Sequence, residues 1–209
     1  MESAYDHRRP AVQFEHCIEI GWFCLTRDAL SAGHTSSLAP FSKHRGTNIS
    51  EVSTHDILIR NAVIEDVSSC AQLIADEELD DAESWQRRFE TDLNDANRRF
   101  FVARVDQKIV GYGHSVLHLR PEDADPDASP SGYFLAGLLV APDHRRSRIG
   151  TQLTIARLEA LRELTTVVFY LAIPENIATI NLHMRLGFVE VCPVKRDGVA
   201  HQLFRLDII

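Results

Sequence analysis

From Asp56 onward, apolar residues recur along this chain with two periods, and the alternation between them predicts an ordered series of elements. Ile57-Leu58-Ile59-Arg60 reads as a short strand. Val67, Cys70, Ala71 and Ile74 fall at helical spacing within a segment from Ile64 to Leu79, and Ser84 to Leu93 reads as a second helix. Phe100 to Val105 and Lys108 to Leu119 flank Asp106-Gln107, which predicts a hairpin. A loop rich in Asp and Pro then leads to a strand from Gly132 to Val140. Ile149, Leu153, Ala156 and Ala160 mark a third helix, and the β-branched, aromatic run Thr166 to Ile173 marks a buried strand. Ile177, Ile180, Met184 and Leu186 are roughly helix-spaced, with Gly187 placed to stop that helix. Val189-Glu190-Val191 and Gln202 to Asp207 are two last strands, so the order is βααβββαβαββ.

The first 55 residues lack such sustained periodicity. Ser31 to Ser53 is rich in Ser, Thr, His and Gly, while Phe14 to Leu30 holds Ile18, Ile20, Trp22, Phe23 and Leu25. Residues 1–55 therefore read as an N-terminal extension with the composition of a partly disordered segment, and 56–209 as one domain.

Composition narrows the class. With 209 residues, 44% hydrophobic and 25% charged, the chain has enough material for one soluble domain with a substantial core. Cys17, Cys24, Cys70 and Cys192 are scattered without a CxxC, which implies neither a disulfide framework nor a zinc site and fits a reducing cytoplasm. No apolar run approaches the roughly 20 residues needed to span a membrane. A net charge of −8 disfavours a nucleic-acid partner, whose phosphates it would repel.

Chemistry concentrates at the strand Gly132 to Val140 and in the turn after it. Val140-Ala141-Pro142 ends the strand, Arg145, Arg146 and Arg148 decorate a short turn, and a helix begins at Ile149. A turn into a helix start aims several unpaired N–H groups at one point, and arginines add positive charge, so the segment suits a diphosphate. There is no GxxxxGK[ST] and no GxGxxG, which excludes a Walker loop and a Rossmann site.

The segment resembles the acetyl-coenzyme A loop of the GNAT superfamily of N-acetyltransferases, in which V-x-P precedes [RQ]-x-x-G-x-[GA]. Here Arg145-Arg146-Ser147-Arg148-Ile149-Gly150 occupies that pattern, with Arg148 where the family has glycine. Because Arg148 begins a helix, it is expected to take a negative φ. A helix and a strand later, Asn176 to Phe188 resembles the family's N-x-x-[AS]-x-x-[LF]-[YH]-x-x-x-G-F, with His183 at the aromatic or imidazole position and Leu186-Gly187-Phe188 at the end.

The resemblance implies an α+β fold, an α/β/α sandwich with a mixed, mostly antiparallel sheet of about seven strands and helices on both faces. It implies acetyl-CoA as cosubstrate, its pantetheine arm along Phe134 to Val140 and its diphosphate on the N–H groups of Arg145, Arg146, Ser147, Arg148, Ile149, Gly150 and Thr151. Asn176 is a further cofactor contact or else only a helix cap. An amine attacks the thioester directly, and an N–H near Leu138 or Leu139 stabilises the oxyanion. His183 stands where a tyrosine commonly assists the departing thiolate; the alternative is a packing histidine.

The strand before the loop contains no carboxylate, so the base is open. His114, sharing a face with Tyr112, Val116 and His118 by alternation, is one candidate, and the acidic helix–helix loop is its rival. That loop, with Glu78, Asp80, Asp81 and Glu83, and the second acidic run with Asp123 and Asp125 would attract a cationic acceptor. Together with a likeness of Gly132 to Phe188 to bacterial aminoglycoside-modifying acetyltransferases, they point to an aminoglycoside. A protein N-terminus or lysine, a metabolite amine such as a polyamine, and an acetyl-CoA-binding module without turnover stay open. Edge strands near the C-terminus leave room for a homodimer. No metal site is expected.

Overall fold

A computed structural model describes residues 57–196 and 198–208. The N-terminal extension of the sequence analysis lies outside the described residues, as do Cys17 and Cys24. Seven strands form one sheet: β1 (Leu58–Asn61), β2 (Arg98–Val105), β3 (Lys108–His118), β4 (Gly132–Val140), β5 (Val167–Ala172), β6 (Val189–Arg196) and β7 (Val199–Asp207). Four α-helices join them: α1 (Val67–Glu78), α2 (Ala82–Asn94), α3 (Ile149–Leu161) and α4 (Ile177–Arg185).

Local chemistry explains the boundaries. The first predicted helix is split, because Ile64–Asp66 is a 3₁₀ turn and the α-helix starts at Val67. In α2 the carboxylate of Asp81 accepts from the N–H groups of Glu83 and Ser84, so the helix starts two residues before the predicted Ser84. The β2–β3 hairpin turns on Asp106 and Gln107, whose φ values of 47° and 70° are those of a mirror-image turn that matches strand twist. β6 runs on to Arg196, past its predicted end at Val191. As an edge strand it tolerates Pro193, whose missing N–H needs no ladder partner.

The strand order is β1-β2-β3-β4-β5-β7-β6, antiparallel except for the parallel pair β4–β5. Pleating sends alternate side chains to opposite faces. Phe100, Val102, Tyr112 and Leu139 pack with Val67, Cys70, Ala71 and Ile74 of α1 and with Trp85 and Phe89 of α2. Phe101, Ala103, Val105 and Val110 pack on the other face with Ile149 and Leu153 of α3. Leu135, Tyr170 and Phe204 meet Leu161, Phe188 and Ile180 near α3 and α4. Helices thus cover both faces, as the resemblance implies.

The feature that positions the site is a parting of the sheet. β4 pairs with β5 only from Tyr133 to Leu135, against Val168 to Tyr170. From Ala136 to Val140 β4 keeps β3 as its sole sheet partner, so its other edge is open. Within that stretch the register slips: Tyr112 faces Leu139 and His114 faces Ala136, leaving Gly137 and Leu138 together opposite Gly113. This is a β-bulge, which bends its strand.

Candidate acyl-transfer site

Gly137 makes the bulge possible. Its φ is +47°, and a Cβ there would lie 2.4 Å from a ring carbon of His114 and 2.9 Å from its Nε2. Past the bulge, the Ala141 N–H donates to the Val110 carbonyl at 2.8 Å. Strand alternation then turns the N–H of Leu139 inward to its partner Tyr112, and those of Leu138 and Val140 to the open edge. Sequence reasoning offered Leu138 or Leu139 as the oxyanion donor. Of these two, strand alternation leaves the Leu138 N–H at the open edge and turns the Leu139 N–H toward β3.

Beyond β4, Pro142–His144 forms a 3₁₀ turn and α3 starts after Arg148. The Ser147 hydroxyl donates to the His144 carbonyl, tightening the turn. The first helical bond here runs from Gln152 N–H to the Arg148 carbonyl, so the N–H groups of Ile149, Gly150 and Thr151 precede the intrahelical ladder. They converge at the positive end of the helix dipole. Gly150 admits close approach there: a Cβ would lie 3.2 Å from Leu182 of α4 and 3.8 Å from Leu138.

The expected negative φ of Arg148 is wrong. Arg146 and Arg148 both adopt φ of 64°. The turn reverses direction at each, and this left-handed conformation is one that glycine adopts without cost. Arg145 also differs from expectation. Its Nε donates to the Val140 carbonyl at 3.1 Å and its Nη2 pairs with Glu77 of α1 at 2.5 Å. Only Arg146 and Arg148, both exposed, are left to face an anion.

These features fit acetyl-CoA: an open strand edge for an extended amide chain, convergent N–H groups for a diphosphate, and glycines where close approach needs them. When bound, acetyl-CoA supplies the acyl group as a thioester. Leu138 and Val140 would hold the pantetheine, Ile149 to Thr151 the diphosphate, and the Leu138 N–H would stabilise negative charge on the acyl oxygen.

Two imidazoles flank the parting of β4 and β5. His114 is 2% exposed and lies against Gly137, its ring edge-on to Phe100 at 5.7 Å. His183 is 1% exposed and stacks on Tyr170 of β5 at 3.9 Å, with Phe188 at 5.2 Å. Its Nδ1 is 2.8 Å from the Thr179 carbonyl. A carbonyl cannot donate, so Nδ1 carries the proton and Nε2 is left as an acceptor, buried without a partner. Burial, with the Arg157 cation adding to it, pulls the ring down to about 3 and keeps it neutral. In this tautomer Nε2 carries no proton, and the ring packs on Tyr170 and Phe188. Asn176 is likewise buried, and its side chain accepts from Thr179 N–H as the cap of α4.

The acidic residues are largely occupied. Asp80 accepts from the Trp85 indole at 3.1 Å, Asp81 caps α2, and Glu83 pairs with Arg87 at 2.7 Å. Glu78 is half-buried. Through Glu77 this turn adjoins the phosphate loop at the C-terminal end of β4. Asp123 and Asp125 are exposed in the loop entering the N-terminal end of β4, where Asp127 pairs with Lys195 of β6. The structure therefore does not bring the two acidic clusters together.

One residue escaped the sequence reading. Arg157 of α3 is 1% exposed, and its guanidinium reaches the carbonyls of His114 and Ala136 at the bulge. The signal was its place in the stripe Ile149, Leu153, Arg157, Leu161, a cation at a core-facing step of a helix. Among the described residues no cluster of His, Cys, Asp and Glu could hold a metal, and no helix is long and apolar enough to cross a membrane.

Comparison with known proteins places this geometry. The sequence profile of the acetyltransferase (GNAT) family matches residues 61–188. An N-alpha-acetyltransferase of Sulfurisphaera tokodaii is 32% identical over 143 residues, 64% of this chain and 80% of the relative. The crystal structure of a ribosomal-protein-alanine N-acetyltransferase from Brucella melitensis superposes with a TM-score of 0.57 at 23% identity, over 72% of this chain and 99% of that one. An acetyltransferase of Salmonella typhimurium solved with acetyl-CoA gives 0.56 at 17% identity, over 73% and 94%. The chain belongs to the acetyltransferase (GNAT) family and is an N-acetyltransferase with acetyl-CoA as its cosubstrate.

Proposed function

We propose that this enzyme acetylates the α-amine of a peptide or protein N-terminus. The observation that carries the reading is the 32% identity, over 80% of its length, to a protein described as an N-alpha-acetyltransferase. The α1–α2 turn supports it. Leu79 caps α1 with φ of 56°, a conformation costly for leucine, and is 89% exposed between Glu78 and Asp80. An apolar side chain among carboxylates suits a peptide, with its ammonium and its own apolar groups, better than a polyhydroxylated sugar.

In this reading the peptide enters beside the open edge of β4. The Leu138 N–H stabilises charge on the acyl oxygen, and Arg146, Arg148 and the start of α3 fix the diphosphate. His114, the titratable group against the bulge, takes the amine proton directly or through water. Direct transfer needs no covalent enzyme intermediate, and holding both reactants in one cleft supplies much of the acceleration.

An aminoglycoside acceptor is the second reading, favoured by the exposed carboxylates Asp123 and Asp125. It is weaker because Asp80, Asp81 and Glu83 are committed within the α1–α2 turn. The test is thiol release from acetyl-CoA, with product mass, across N-terminally free peptides, the same peptides with blocked N-termini, aminoglycosides and polyamines. Turnover confined to free N-termini is expected. Faster turnover of an aminoglycoside than of every peptide would overturn the reading.

A further inference from the structure

Arg157 is the largest fully buried side chain among the described residues, and none of the steps above uses it. It projects from α3 beneath the point where β4 leaves β5. Its Nη1 donates to the carbonyls of His114 on β3 and Ala136 on β4, each at 3.1 Å. Its Nη2 donates to the Thr154 hydroxyl at 2.9 Å, and its Nε to the Leu153 carbonyl at 3.2 Å. The Thr154 hydroxyl in turn donates to the Gly150 carbonyl at 2.8 Å. None of these bonds ends on a carboxylate. A buried cation held only by neutral oxygens costs free energy that an aliphatic residue would not.

The bulge is built around that guanidinium. On β3, a Cβ at Gly113 would lie 3.1 Å from Arg157 Nε; on β4, a Cβ at Gly137 would strike His114. One glycine admits the arginine from the α3 side and the other admits the imidazole from the α1–α2 side. The two carbonyls that Arg157 ties together belong to His114 and Ala136, which face each other across β3 and β4 as the pair that borders the register slip at Gly137-Leu138. The same arginine is connected through Thr154 to Gly150 at the diphosphate end of α3.

We propose that Arg157 is a positioning residue for acetyl transfer: it pins the bulge so that the Leu138 N–H faces the open edge of β4, and sets positive charge behind that edge. The guanidinium does this by holding both carbonyls through Nη1 while Nε and Nη2 anchor it to Leu153 and Thr154 of α3; a lysine ammonium could meet the carbonyls but would lose that fixed anchoring fork. The cation also favours negative charge developing on the acyl oxygen in a poorly hydrated site. The inference rests on the assignment of Leu138, and it does not depend on which amine is the acceptor.

The test compares the native chain with Arg157→Lys, Arg157→Met and Thr154→Val. Four quantities are read: melting temperature, coenzyme A affinity by calorimetry, kcat and KM for acetyl-CoA with a free N-terminal peptide, and the amide resonances of Gly137 to Leu139. Arg157→Lys and Arg157→Met are expected to bind coenzyme A within about threefold of native, to lose about tenfold or more in kcat, and to shift the Leu138 amide. A folded Arg157→Lys or Arg157→Met with kcat within about twofold of native would overturn the proposal, since a merely structural role moves melting and not turnover per folded molecule. If neither variant folds, the isosteric Thr154→Val decides, with kcat lowered at unchanged KM expected and unchanged kcat contrary. If the native enzyme does not use the peptide, the acceptor reading fails. The Leu138 resonance then decides alone: a shift in the variants upholds the role of Arg157, and an unmoved resonance refutes it.

Discussion

Gly137 carries the tightest steric demand at the site, because a methyl group there would sit 2.4 Å from the His114 ring on a backbone with φ of +47°. Gly137→Ala is therefore expected to cost on the order of 1–3 kcal/mol and to abolish most turnover, read by chemical denaturation and thiol release. Arg148 presents the opposite case. It holds a left-handed φ as a non-glycine residue, so Arg148→Gly should leave stability equal or raise it by up to about 1 kcal/mol, while loss of the cation weakens coenzyme A binding. Tighter binding by the variant would show that the side chain obstructs the diphosphate. His183 gives a pH prediction. Its folded-state value of about 3 lies below the ordinary 6.5, so its contribution is fully present above pH 6.5 and is lost as pH falls from there toward 3. The loss approaches about 1.4 kcal/mol per pH unit for this group. His183→Phe, which keeps a ring against Tyr170, should flatten the dependence of stability on pH between 7 and 5. An unaltered slope would contradict the buried neutral ring.

Elements set these residues in place, and they were unevenly legible. The strand Gly132 to Val140 and the helix from Ile149 were readable because apolar periodicity and a Pro142 break mark their limits. The parting of β4 from β5 was not, because it is a relation between strands, and nothing in Gly137 alone distinguishes a bulge from a turn or a close packing contact. The backbone of Arg148 is not legible from its place at a helix start, because the residue before the first turn is free to take a non-helical conformation. The pairing of Arg145 with Glu77 was equally hidden, since 68 residues separate them in sequence. That pair joins the phosphate loop to α1. Being exposed, it contributes less than about 1 kcal/mol to stability. Glu77→Gln should release Arg145 and tighten coenzyme A binding a few-fold with melting little changed; weaker binding would show that the pair holds the loop in its competent form.

At the scale of the molecule, the fold class, strand count and placement of helices on both faces follow from the order of periodic segments together with two motifs. The acceptor does not. Composition puts acidic residues in two runs, but only the three-dimensional arrangement shows that most of one run is spent on capping and pairing and that the runs lie at opposite ends of β4. The described elements close their own core from Leu58 to Asp207, and a chain beginning at Asp56 is expected to unfold cooperatively and to retain coenzyme A binding. Loss of either would make the preceding residues part of the working domain. Transfer to an α-amine at the open edge of β4 is the central claim. Its most direct test is tandem mass spectrometry of one peptide, carrying both a free N-terminus and a lysine, after incubation with the enzyme and acetyl-CoA. A single acetyl group on the α-nitrogen is the expected result; acetylation of the lysine alone, or of an aminoglycoside in preference to the peptide, would contradict it.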